Sequence, residues 1–228
     1  MQIRKVSPLK RALLYTVVLS LSFIFAWQVT GHAATTVTFG DNTGDDGDDF
    51  PGTIEDALIW EGGVFLNYGG TGTIPVGEGA NLGEASRSLI RFKNIASHLP
   101  DGAVITSATM YLFCSSEDST TDHSVSAYGV LQDWGEGNLS GGFGFDICSW
   151  NYFQYYNFLW KAAGCDVASD GTGEDSTADR RATAEAGTLI TGTGGWFTWD
   201  LTAAVQNWYS YQWSEYGVQK GLRLPRGH

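Results

Sequence analysis

"VITSATMYLFC" (residues 104–114) alternates in character at every second position. Met110, Leu112 and Cys114 share one side of an extended chain, and Tyr111 and Phe113 share the other. "GWFTWDL" (195–201) repeats the device, with Phe197, Trp199 and Leu201 on the inward parity. A period of two is the mark of a half-buried strand. Further β-branched and aromatic runs predict strands at Thr36–Phe39, Thr53–Trp60, Gly72–Val76, Ser88–Phe92, Ser124–Leu131, Gly187–Thr191 and Leu222–Leu224. Glycine-rich turns separate them, in a chain with 30 Gly and only 5 Pro. Many short strands broken by turns read as an all-β sandwich. One short helix is expected near the C-terminus, because Leu201, Val205 and Trp208 fall on one face at i, i+4 and i+7 behind a capping Asp200 or Thr202. Asn94–Leu99 predicts another turn of helix.

The N-terminus reads as a leader. Arg4, Lys5, Lys10 and Arg11 precede an apolar run from Ala12 to Val29, and Gly31 and Ala33 stand at the −3 and −1 positions of a cleavage site. Residues 1–33 are therefore expected to be a secretory signal peptide cut after Ala33, the competing reading being a retained membrane anchor. Residues 34–52 follow as an acidic, Gly-rich strand and linker, and residues 53–228 as the β-sandwich domain. Cleavage removes four of the 13 basic residues, leaving nine against 25 acids and a formal charge of −16. Such a surface repels nucleic acid and anionic lipid. In an exported chain disulfides persist. Cys148 and Cys165 bracket the aromatic segment and are the natural pair, closing a loop worth about 3 kcal/mol in the chain-entropy model. Cys114 ends a strand and reads as a small buried hydrophobe.

"SWNYFQYYNFLW" (149–160) holds seven aromatic rings. Sugar rings stack their apolar faces on aromatic side chains and add a few directed hydrogen bonds. Trp150 is assigned to the core. Tyr152, Tyr155, Tyr156, Phe158 and Trp160 are the candidate platform, with Arg91, Lys93 and Lys161 as basic contacts. Upstream, Asp41, Asp45, Asp46, Asp48 and Asp49 offer oxygen ligands among glycines, which suits a structural calcium ion. The order of these acids is not that of an EF-hand, and a solvated acidic linker is the competing reading. Glu55 and Asp56 stand ready to add ligands; Asp170, Glu174 and Asp175 form a weaker acidic cluster.

"SRSLIRFKNI" (86–95), "PDGAVITSATMYLF" (100–113), "VLQDWGEG" (130–137), "CSWNYFQY" (148–155) and "WFTWDLTAAVQNW" (196–208) occur in an order that resembles DNRLRE-type domains. The same segments are similar to disaggregatase-related repeats and to a carbohydrate-binding-module family of jelly-roll β-sandwiches. The resemblance runs from about Gly52 onward. It implies a jelly roll on a secreted bacterial or archaeal protein, structural roles for Trp134, Trp150, Trp196, Trp199 and Trp208, and binding of acidic polysaccharide. Relatives continue through one or two strands beyond "GLRL" (221–224), so further C-terminal strands are expected. An acidic ligand calls for basic side chains, and Arg87, Arg91, Lys93, Lys161, Arg180 and Arg181 are those on offer.

Enzyme chemistry finds no footing. His98, His123 and His228 sit in no metal-binding spacing, and there is no nucleophile elbow, HExxH sequence or phosphate loop. The expectation is a secreted or cell-surface, non-catalytic module that attaches a protein or cell to a polysaccharide, alongside further domains or neighbouring copies. The alternative is a structural or adhesion module whose aromatic residues are all core.

Overall fold

The computed structural model of the chain describes residues 2–6, 10–18, 22–30, 34–39, 54–78, 84–93, 95–100, 102–117, 122–166, 179–211 and 222–224; for the first three segments and the last, the description is of backbone alone. The strands are β1 (Gln2–Val6), β2 (Lys10–Val18), β3 (Ser22–Thr30), β4 (Thr35–Thr38), β5 (Ile54–Trp60), β6 (Gly77–Glu78), β7 (Ala85–Phe92), β8 (Val104–Cys114), β9 (His123–Gly129), β10 (Tyr152–Gln154), β11 (Phe158–Leu159), β12 (Ala186–Ile190), β13 (Gly195–Asp200) and β14 (Leu222–Leu224). The helix α1 spans Thr202–Tyr211. The described fold is thus mostly β with one short C-terminal helix, and its strand pairs are antiparallel.

One sheet runs β13-β8-β1-β4; another runs β12-β9-β14-β7-β5, with β6 beside β7; β2–β3 and β10–β11 are hairpins. The segment read as a leader therefore contributes strands, with β1 between β4 and β8. No helix among the described residues is long and apolar enough to cross a membrane. Where a strand was expected at Gly72–Val76 the chain is irregular, and β6 pairs at Gly77–Glu78 instead. Ile95–His98 forms the expected short helical turn.

Along β8 the alternation is kept. Met110 is buried, Leu112 and Cys114 pack partly buried against the core, and Tyr111 and Phe113 are exposed. β13 follows the same rule, and this corrects the structural role expected for Trp196. It lies opposite Phe113, one residue out of phase with Phe197 and Trp199, and is 67% exposed. α1 starts where Asp200 Oδ1 accepts hydrogen bonds from the Thr202 amide (3.0 Å) and hydroxyl (2.6 Å), which holds the Asp200 carboxyl below its usual range. The helix is tied back when Gln206 Oε1 accepts from Ile105 N (2.7 Å) and the Tyr209 hydroxyl donates to Pro100 O (2.6 Å).

Two apolar clusters organise the chain. The first gathers Val37 of β4, Ile105 and Met110 of β8 and Trp199 of β13 with Ile90 and Phe92 of β7, Val125 of β9 and Leu201 and Val205 at the helix. Trp199 Nε1 donates to Val125 O (2.9 Å), joining elements of the two larger sheets. The second cluster uses the opposite parity of β7. Leu89 meets Ala57 and Ile59 of β5 and, from the long connection between β9 and β12, Val130, Trp134, Cys148, Trp150, Trp160 and Cys165. β7 is covered on both faces, so its second half is buried without alternation.

A candidate aromatic binding surface

The outer layer on that second cluster carries the rings. Its framework is a set of loops clamped by backbone and amide hydrogen bonds. Asn67, 1% exposed, donates through Nδ2 to Glu136 O (2.7 Å) and Cys148 O (2.9 Å), and accepts through Oδ1 from Gly69 N and Leu139 N (both 3.2 Å). All of its amide capacity is used, so three loops are fixed at one point. At Gly135 the loops press so close that an added Cβ would stand 1.8 Å from Asp146 O. Cys148 N donates to Gly135 O (2.6 Å) and Tyr155 N to Ile147 O (2.8 Å).

β10 and β11 pair Tyr152 with Leu159 and Gln154 with Phe158, joined by a tight turn through Tyr155, Tyr156 and Asn157. One face of this hairpin looks inward. Phe153 stacks on Phe158 (5.5 Å, 13°) and leans on Trp160, which is buried and donates from Nε1 to Ser149 O (2.8 Å). The other face gathers a larger set. Tyr155 touches Tyr152 (4.9 Å), Tyr156 (4.2 Å), Phe65 (6.5 Å) and Phe143 (6.3 Å), and Phe145 lies 5.3 Å from Tyr156. Tyr155 itself is buried beneath these rings, and its hydrogen bond with Tyr156 pushes its phenol up from the ordinary value.

Tyr156, 66% exposed, sits at φ 67°, and Asp146, next to Phe145, at φ 56°. A non-glycine residue in the left-handed region costs about 1–3 kcal/mol and needs surroundings that over-determine it. Here Asn157 Nδ2 donates to Asp146 Oδ1 (2.6 Å), coupling the two strained positions. The result is a surface of Phe143, Phe145 and Tyr156, each more than half exposed, edged by Phe65 and Tyr152; Phe158 and Leu159 of β11 are also more than half exposed, with Phe158 against Phe153.

The expected platform is thus divided. Tyr156 and Phe158 are exposed and Tyr152 half-buried, Tyr155 supports from below, and Trp160 belongs to the core. Phe65, Phe143 and Phe145 were not anticipated. The alternating "GGFGFD" (141–146) is the signal that would have found two of them, since apolar rings between loop glycines have no strand to bury them.

The basic candidates are engaged elsewhere. Arg91, 7% exposed, stands opposite Glu55 in register, pairs with it through Nε (2.7 Å), and reaches Asp133 through Nη1 (2.6 Å), its guanidinium over the Trp134 ring. Lys93 pairs with the same Glu55. β7 is covered on both faces, so a cation at 91 needs a buried counter-charge. Lys161 is exposed and lends positive charge to the buried Asp179, whose carboxyl burial pushes up. Arg87 donates to Gly164 O (2.6 Å) and to Asp166 (2.9 Å), and Arg180 holds the other Asp166 oxygen (2.8 Å). Burial lowers the Arg87 pKa, opposed by Asp166. Arg181 pairs with Glu185.

Cys148 and Cys165 are both fully buried in the second cluster as thiols, the Cys165 thiol donating to Asp179 O (3.8 Å), and Cys114 is a thiol too. Burial pushes the Cys148 thiol up. The calcium candidates Asp41, Asp45, Asp46, Asp48 and Asp49 lie outside the described residues, as do Asp170, Glu174 and Asp175; Glu55 is occupied by Arg91 and Lys93. Among the described residues no three His, Cys, Asp or Glu side chains gather as a metal site.

No protein-family model matches the chain, and neither the curated proteins nor the solved structures give a match.

Proposed function

We propose that this chain is an exported, non-catalytic module that binds polysaccharide through the aromatic surface around the β10–β11 turn. One observation carries the reading: Tyr156 is held at positive φ with its ring in solvent, beside Phe145 and above Tyr155. A turn built only for compactness has glycine or asparagine there. A tyrosine kept there against backbone preference serves something outside the chain. The contact residues are Tyr156, Phe158, Phe143, Phe145 and Tyr152. The leader cut after Ala33, which takes β1 out from between β4 and β8, a secreted or cell-surface location, and calcium near residues 41–49 belong to the same proposal.

A jelly-roll sandwich of the DNRLRE-like kind is the architecture this reading favours. It is supported by the first cluster, to which both larger sheets contribute, and by the position of the Leu201–Trp208 helix. The test is retention on immobilised polysaccharides. Tyr156→Ala and Phe145→Ala should each weaken retention at least about tenfold, equivalent to ~1.4 kcal/mol; unchanged retention in both would remove the surface from the function.

An adhesion role is favoured by a different observation. Trp196, Phe113 and Tyr111 form an exposed aromatic row on the regular β8–β13 face, with Trp196 and Phe113 edge to face at 5.4 Å. A module working through that face would lose self-association on Trp196→Ala and keep polysaccharide retention.

A further inference from the structure

We infer that the polysaccharide this surface takes is uncharged. The inference rests on the reading just given and concerns the chemistry of the ligand. It comes from the charges around the rings. Arg91 and Lys93 share Glu55, Arg91 also holds Asp133, Arg87 and Arg180 share Asp166, and Arg181 holds Glu185. Each of these guanidinium and ammonium groups is engaged by a carboxylate. A uronate or sulfate would have to break such a pair and leave its acid uncompensated. Lys161 is exposed, but it follows the core residue Trp160, beyond the end of β11 that lies away from the Tyr155–Asn157 turn.

What stands among the rings has the opposite sign. Asp146, exposed between Phe145 and the Asn157 amide, is a carboxylate. Asp133, with its side chain 64% exposed and paired with Arg91, lies at the flank of the hairpin, where its carbonyl accepts from Gln154 Nε2 (2.9 Å), and the pair adds no net positive charge there. A carboxylate accepts hydrogen bonds from sugar hydroxyls but repels another carboxylate. Two like charges a few ångströms apart repel even in bulk water, and by more against an apolar surface. The chain as a whole carries −12, and −16 once the leader is cut, so a polyanion is repelled on approach within the screening length. The surface therefore offers ring faces, tyrosine hydroxyls, an amide and a carboxylate acceptor. That combination matches a hydroxyl-bearing, neutral chain.

The experiment compares the intact chain and Tyr156→Ala on cellulose and xylan, as uncharged polymers, and on alginate and polygalacturonate, as acidic ones. Each is run with calcium and with chelator, at low salt and at about 0.5 M salt, where charge effects are largely screened. The expected result is retention on an uncharged polymer, unchanged by salt and reduced at least tenfold by Tyr156→Ala. Retention on the acidic polymers alone, abolished by Tyr156→Ala, overturns the uncharged class and leaves the aromatic surface as the binding site. Retention on neither kind, from a chain whose circular dichroism shows it folded, overturns both readings.

Discussion

Tyr156 sets the terms at the scale of single residues, because its backbone and its ring make opposite demands. Glycine at this position removes the left-handed cost and the aromatic face together. Tyr156→Gly is expected to leave the melting temperature unchanged or slightly raised, within about 1 kcal/mol of stability, while polysaccharide retention falls. A fall in both by the same proportion would mean that the ring is structural. Asp179 makes a separate demand. It is fully buried and accepts from Ala162 N (2.8 Å), and burial raises its carboxyl pKa. A raised carboxyl favours the folded state most at acid pH, where the group is protonated in both states. That contribution is lost as pH climbs through the folded pKa. Asp179→Asn keeps an oxygen for Ala162 and cannot titrate. Denaturant midpoints between pH 4 and pH 7 should fall less steeply for Asp179→Asn than for the parent; parallel profiles would exclude the carboxylate as the cause.

Among elements, β8 and β13 were legible in the sequence and the β10–β11 hairpin was not. In β8 and β13 one face is buried and the other exposed, so the period of two is written in residue type, and the phase alone places Trp199 inside and Trp196 outside. The same phase should appear in energetics. Trp199→Ala is expected to cost about 3–5 kcal/mol, since it empties the core and deletes the bond to Val125, whereas Trp196→Ala should stay within about 0.5 kcal/mol. Urea denaturation distinguishes them, and comparable losses would contradict the register. Between 149 and 160 aromatic residues fall on both parities, so parity does not separate inside from outside there. The hairpin's facing depends on clamps from Asn67 and Gly135, remote in sequence. Phe65 and Phe143 reach Tyr155 only because those loops close. The basic candidates misled for a related reason. An arginine in a strand reads as exposed until the sheet is known to be covered on both faces, and Glu55 across from Arg91 becomes visible only with the register.

Over the whole molecule, the two apolar clusters divide the labour. The first ties the larger sheets to the helix; the second ties the connection between β9 and β12, with its aromatic surface, to the β5–β7 face. Cys148 and Cys165 lie in that second cluster as thiols. If export oxidises the chain, thiol counting under denaturing conditions should find one reactive thiol, Cys114, in protein secreted through an oxidising compartment, and three in protein kept reduced. Three thiols in both preparations would exclude the Cys148–Cys165 bond. The account as a whole turns on whether the exposed rings are a binding surface. The most direct measurement is a binding isotherm on cellulose and xylan for the parent chain and for Phe145→Ala/Tyr156→Ala, with folding of both verified by urea denaturation. The account requires saturable binding by the parent that the double variant loses at unchanged stability. Equal binding by the two proteins would contradict it.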